Sequence, residues 1–139
     1  MVKDPDGSIW ISHPYRGLYR VQWHEARKWD PEILFYDQSD GLPSNLNNYV
    51  FSIAGKTLIG TEKGVYYFSA PDQRFLQDPD YNTVLGQEHR IKYLRQDLRG
   101  HIWFVTDDET GVLLIEDNGV RKKVRKKVIP ELSGKLVGG

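Results

Sequence analysis

Apolar and polar residues alternate along the chain in short runs, "SIWIS", "YVFSI", "TLIGT" and "HIWFV" among them, each bounded closely by Gly, Pro, Asp or Asn. A period of two, rich in β-branched and aromatic residues, predicts short strands joined by turns. No period of 3.6 is sustained. "HEARKW" at 24–29 holds one helical turn at most, so no helix is expected to interrupt the strands.

The strands repeat as a group. "GSIWISHPYRGLYRV" at 7–21, "GKTLIGTEKGVYYF" at 55–68 and "GHIWFVTDDETGVLLI" at 100–115 share one order: Gly, two residues, a large apolar residue, a strand, a tight loop, a second Gly, another strand. The large apolar position is Trp10, Leu58 and Trp103, and both tryptophans are expected in the packed core. Trp23 and Trp29 lie outside the repeat and have no assigned place. The second glycines, Gly17, Gly64 and Gly111, recur every 47 residues, while the first, Gly7, Gly55 and Gly100, are spaced 48 and 45. Loops of three, two and four residues before the second glycine account for the difference, which confines variation to one hairpin tip. Asp4-Pro5-Asp6-Gly7 and Asp97-Leu98-Arg99-Gly100 carry the Asp and Gly of type I turns.

A further strand precedes each of these turns: "YVFSI" at 49–53, "RIKYLRQ" at 90–96, and only "MVK" in the first repeat. A fourth follows each hairpin: "ILFYD" at 33–37, "RFLQ" at 74–77 and "VRKKVRKKV" at 120–128. Four antiparallel strands at this period predict an all-β fragment of a β-propeller, with about three four-stranded blades, rather than a meander or sandwich of unrelated strands. Within this single domain, residues 1–39 form an incomplete blade, 40–80 a blade with its Asp-Gly-Leu-Pro connector, 81–128 another, and 129–139 the start of the next. A ring takes about four to eight blades, so three do not close one, and a piece of a longer propeller is expected. Its uncovered sheet faces favour the rest of a parent propeller, or homo-dimerisation.

Composition narrows the partners. With 19 Lys plus Arg against 19 Asp plus Glu, no global field favours nucleic acid or an anionic membrane. "RKKVRKK" at 121–127 carries six positive charges and reads as a basic outer edge strand, where lysines block unwanted strand pairing. No apolar window approaches a membrane span, the first residues lack a signal-peptide h-region, and a water-soluble segment without an address is expected. The absence of cysteine excludes disulfides, thiolate nucleophiles and thiolate metal sites.

The residues "DPDGSIWIS…RGLYRV", "YDQSDGLPSNLNNYVFSI…KTLIGTEKGVYYF" and "DLRGHIWFV…TGVLLI" resemble the two-component regulator propeller repeats, over about residues 4–128. That family combines a D-x-x-G turn and an I-W-I-G-T-x-x-G-L strand pair with a D-G-L-P-S-N connector. This chain departs from it at "ISHPYRG", at "AGK" in place of the second D-x-x-G turn, and at "GQEHR" where the third connector would stand. The resemblance implies a periplasmic sensor of a bacterial hybrid two-component receptor, or a related regulator with a helix-turn-helix output. It further implies recognition of glycan-derived oligosaccharides, with phosphorelay and control of transcription carried by other parts of a parent chain.

Blade topology predicts where a ligand would sit. The connector into the first strand and the loop between the second and third open at the same end, which gathers "GLPSNLNN", "VLGQEHR", "HPYRG", "TEKG" and "TDDETG". Candidate ligand-binding residues are Tyr15, Arg16, Asn45, Asn47, Asn48, Glu62, Lys63, His89, Arg90, Asp107 and Asp108. Amides, carboxylates, Arg and an aromatic ring suit a saccharide, offering partners for hydroxyls and a flat face for the ring.

No catalytic motif stands out. Ser44 is not in a G-x-S-x-G elbow, and no carboxylate pair is singled out for glycoside hydrolysis. Asp107-Asp108-Glu109 lacks a calcium-loop pattern, and His13, His24, His89 and His101 lack H-x-x-x-H or H-E-x-x-H spacing. No metal or cofactor is expected, and a metal site would require convergence in space. The leading expectation is a ligand-sensing segment without enzymatic activity of its own. The alternatives are a fragment of a propeller glycoside-active enzyme and a protein-interaction scaffold.

Overall fold

The computed structural model describes residues 1–24, 29–115 and 121–126, with the last stretch and Ile115 described by their backbone. Residues 25–28 of the helical turn expected within 24–29, and the blade start expected at 129–139, lie outside them. Among the described residues, twelve strands form three antiparallel sheets of four. The first contains β1 (Val2–Lys3), β2 (Ile9–His13), β3 (Gly17–Gln22) and β4 (Glu32–Tyr36). The second contains β5 (Tyr49–Ile53), β6 (Lys56–Thr61), β7 (Gly64–Ser69) and β8 (Arg74–Gln77). The third contains β9 (Ile91–Gln96), β10 (Ile102–Thr106), β11 (Thr110–Ile115) and β12 (Arg121–Lys126). In each sheet the spatial order follows the chain, so these are three propeller blades that do not close a ring. β12, the basic run, lies at a sheet edge as expected.

Strand alternation sends neighbouring side chains to opposite faces, and each middle blade face finds a cover. Trp10, Leu18 and Tyr36 of the first blade pack against Val50, Ile59, Tyr66 and Phe75 of the second. Trp10, Tyr36, Phe68 and Phe75 form an aromatic knot with ring centroids 5.1–5.8 Å apart. Such tilted and edge-on pairs add about 0.5–1.5 kcal/mol each beyond burial. The other face of the second blade places Ile53, Leu58 and Val65 against Ile91, Leu94, Ile102, Phe104 and Leu113 of the third.

The outermost faces differ. Behind Trp10, the pairs Tyr19 with Phe35 and Val21 with Ile33 present an apolar face, on which Ile33 is 65% and Phe35 46% exposed. Trp103, expected in the core, is instead half-exposed, and its Nε1 donates to Asp97 Oδ2 at 3.1 Å. It points away from the second blade, and among the described residues no further blade lies against it.

Two other expectations are corrected. A helix, α1 (Pro79–Leu85), does interrupt the strands, between β8 and β9, and buries Tyr81, Asn82 and Leu85. Asp78 caps it by accepting from the Tyr81 N–H at 3.1 Å, and Pro79 begins it, a start signal worth more than its short period. The third hairpin is tighter than a four-residue loop: only Asp107, Asp108 and Glu109 separate β10 from β11, and the Thr106 N–H donates to the Glu109 carbonyl at 2.9 Å, so the turn closes around Asp107 and Asp108. Thr106 Oγ1 accepts from the Glu109 N–H at 3.1 Å, much as Thr61 Oγ1 accepts from the Lys63 N–H at 3.0 Å. Glu109 therefore stands where Gly64 stands in the second blade, and Gly111 lies inside β11, opposite Phe104.

Candidate functional site

The loops predicted to share one end are joined there by a chain of hydrogen bonds. The Asn47 N–H, ahead of β5, donates to the Pro14 carbonyl in the β2–β3 loop at 2.9 Å. Asn47 Nδ2 donates to Glu62 Oε1 in the β6–β7 turn at 3.0 Å. From the far side of that turn, the Gly64 N–H donates to the His89 carbonyl at 2.9 Å, and the Asp107 N–H donates to the Arg90 carbonyl at 3.1 Å. One rim thus runs from the first blade to the third, held by backbone groups that would otherwise need water.

The rim sorts the candidate residues. Tyr15 is 77% exposed, and Arg16 next to it in the chain and Lys63 in the corresponding turn of the second blade are also exposed. Asn47 and Glu62 are half-buried and bind each other. His89 Nδ1 lies 3.2 Å from Asp107 Oδ1 and 3.3 Å from Asp108 Oδ1. Arg90 is half-buried, and its Nε is enclosed without a hydrogen-bond partner.

Two asparagines serve the connector instead. Asn45 Oδ1 accepts from the Gln38 N–H at 2.7 Å, and Asn48, fully buried, donates from Nδ2 to the Ser44 carbonyl at 2.8 Å. Ser44 Oγ in turn accepts from the Leu46 N–H at 3.0 Å. The connector starts at a 3₁₀ turn, Gln38–Asp40, capped by Asp37, and pivots at Gly41. Gly41 has φ +106°, and a Cβ there would meet the Phe75 carbonyl oxygen at 2.5 Å, so only glycine fits.

Residues that sequence reasoning passed over brace the rim from behind. Asn82, on α1, accepts from the Val65 N–H at 2.8 Å and donates to the Val65 carbonyl at 3.0 Å, acting as a strand partner for β7. Thr61 and Thr106 organise the two turns, and their matching places in the repeat were the signal that could have revealed them.

At the opposite end, a cleft of about 260 Å³ between the first and second blades is lined by Asp6, Trp10, Arg20, Lys56, Tyr67 and Phe68 among others. Its cations are paired: Arg20 Nη2 bonds Asp6 Oδ2 within the cleft at 2.6 Å, and Lys56 Nζ bonds Oδ2 of the buried Asp78 outside the lining at 3.1 Å. Burial opposes ionisation of Asp6, but bonds from the Ser8 hydroxyl and N–H and from Arg20 outweigh it and lower its pKa from 3.8 to about 2. The cleft is thus a self-satisfied seam between blades, and the rim is the better candidate site. Among the described residues no helix is long and apolar enough to cross a membrane. No protein-family model matches the chain, and no curated protein shows significant similarity to it.

Proposed function

We propose that this chain is a ligand-sensing propeller segment of the two-component regulator type, which binds a glycan-derived oligosaccharide on its loop rim. In this reading it works in the periplasm as part of a receptor whose output controls transcription. Its own role is binding without chemistry. The observation that carries the reading is the hydrogen-bonded rim, which couples loops of all three blades and leaves Tyr15, Arg16, Lys63 and Asp108 exposed along it. A ring face at Tyr15 and charged groups spaced along the rim suit a polyhydroxylated ligand longer than one sugar. Because the rim is bonded from blade to blade, a bound chain would bias how the blades sit together, which is the means by which a sensor passes on occupancy. The carboxylate of Glu62 is engaged by the Asn47 amide, which makes it a fixed acceptor within the rim.

Calorimetry with a panel of neutral and acidic oligosaccharides tests this. A saturable heat is expected for at least one of them, with Tyr15→Ala and Arg16→Ala each weakening binding about tenfold, or about 1.4 kcal/mol. No heat with any sugar, or heat unchanged in both variants, rejects the rim. Shortened sugars detected by chromatography would replace the sensor with an enzyme.

A further inference from the structure

We propose that His89, Asp107 and Asp108 form a site for a divalent transition-metal ion, with Zn²⁺ the best fit. The three residues come from two segments 18 positions apart, the connector into β9 and the β10–β11 turn. Their candidate donor atoms all lie within 4.8 Å of one another. The His89 Nδ1 contacts to the two carboxylates are 3.2 and 3.3 Å. Bonds of about 2.0–2.1 Å in a tetrahedral Zn²⁺ site place neighbouring ligand atoms about 3.3–3.4 Å apart. The spacing therefore matches two edges of such a tetrahedron before any ion enters.

Three features hold the group in place. The Asp107 N–H donates to the Arg90 carbonyl, which locks the turn to the residue next to His89. Thr106 Oγ1 donates to Asp108 Oδ1 at 3.0 Å, the kind of outer hydrogen bond that orients a ligating carboxylate. Gly86 leaves a bare Cα beside the imidazole, where a Cβ would stand 2.9 Å from His89 Cδ2, so the ring lies close against the chain on that side.

The donor set selects the ion. One imidazole nitrogen with two carboxylates suits Zn²⁺, Co²⁺ or Mn²⁺, whereas Ca²⁺ asks for six to eight oxygens. Three protein ligands leave a coordination position open toward solvent, where a water or a hydroxyl of a rim-bound molecule can enter. The site stands on its own geometry and does not depend on the oligosaccharide reading.

Titration of the 139-residue chain with Zn²⁺ alone, without sugar, is the test. One saturable equivalent is expected, with Co²⁺ giving the visible bands of a low-symmetry site and Ca²⁺ leaving the protein unchanged. His89→Ala and Asp107→Asn should each weaken Zn²⁺ by more than the roughly 10–100-fold that loss of an outer partner causes. His101→Ala should not. Imidazole NMR of the unaltered protein gives a readout independent of variant folding, with the His89 ring resonances shifting at one equivalent. Binding of equal strength in His89→Ala, or a shift at other histidines with His89 unmoved, overturns the proposal, as does binding of Ca²⁺ in preference to Zn²⁺.

Discussion

Trp10 and Trp103 occupy the same position of the repeat, yet Trp10 is 2% exposed and Trp103 41%. Both point to the same side of their blades, and only Trp10 meets another blade there, closing on Phe68 and Phe75. Trp10→Ala is expected to cost about 3–5 kcal/mol through lost burial and the cavity left behind. Trp103→Ala should cost no more than about 1 kcal/mol, mainly through its bond to Asp97. Urea unfolding of the two variants measures this, and equal losses would contradict the packing described.

Asn82 holds both polar groups of Val65, and replacing it by Ala leaves a buried N–H without that partner. The expected loss is about 2–3 kcal/mol. Hydrogen exchange should show where it falls, with faster exchange at Val65 and along α1. Unchanged protection at Val65 would mean that the brace is dispensable.

Acid should weaken the Asp6–Arg20 pair in a defined window. An unfolded carboxyl takes its proton near 3.8 and the folded one near 2, so the stabilisation is fully present above 3.8 and disappears as the pH falls to 2. Screening of a carboxylate that is 45% exposed limits it to at most about 1 kcal/mol. Thermal melts should show a constant gap between the unaltered protein and Asp6→Asn above pH 4, closing by pH 2. A gap that persists at pH 2 would point to packing instead of charge.

The apolar back of the first blade predicts self-association in the isolated chain. Ile33 and Phe35 are exposed, so Phe35→Lys should leave the unfolding free energy within about 0.5 kcal/mol of the original while reducing association in sedimentation experiments. If the unaltered chain is monomeric at every concentration tested, the face does not act as a self-association surface.

What was legible in the sequence was what depends on neighbours in the chain. The period of two in "YVFSI" and "RFLQ" set strands at Tyr49–Ile53 and Arg74–Gln77, and the recurrence of the strand groups after Gly7, Gly55 and Gly100 set the blade count, whereas the match of Gly111 to Gly64 did not hold. Strand pattern and turn chemistry are local, so they survive without knowledge of packing. Other features arose only where distant segments meet. Helix α1 carried a short signal in Asp78-Pro79, but its role appears in Asn82 reaching Val65. In "DGLPSNLNNYVF", three asparagines close in sequence part company: Asn45 and Asn48 hold the connector, while Asn47 joins the rim. His89 meets Asp107 and Asp108 across a backbone bond that no sequence spacing encodes. Burial and side-chain convergence are decided by which faces find a cover, and that is a property of the assembled blades rather than of any one strand.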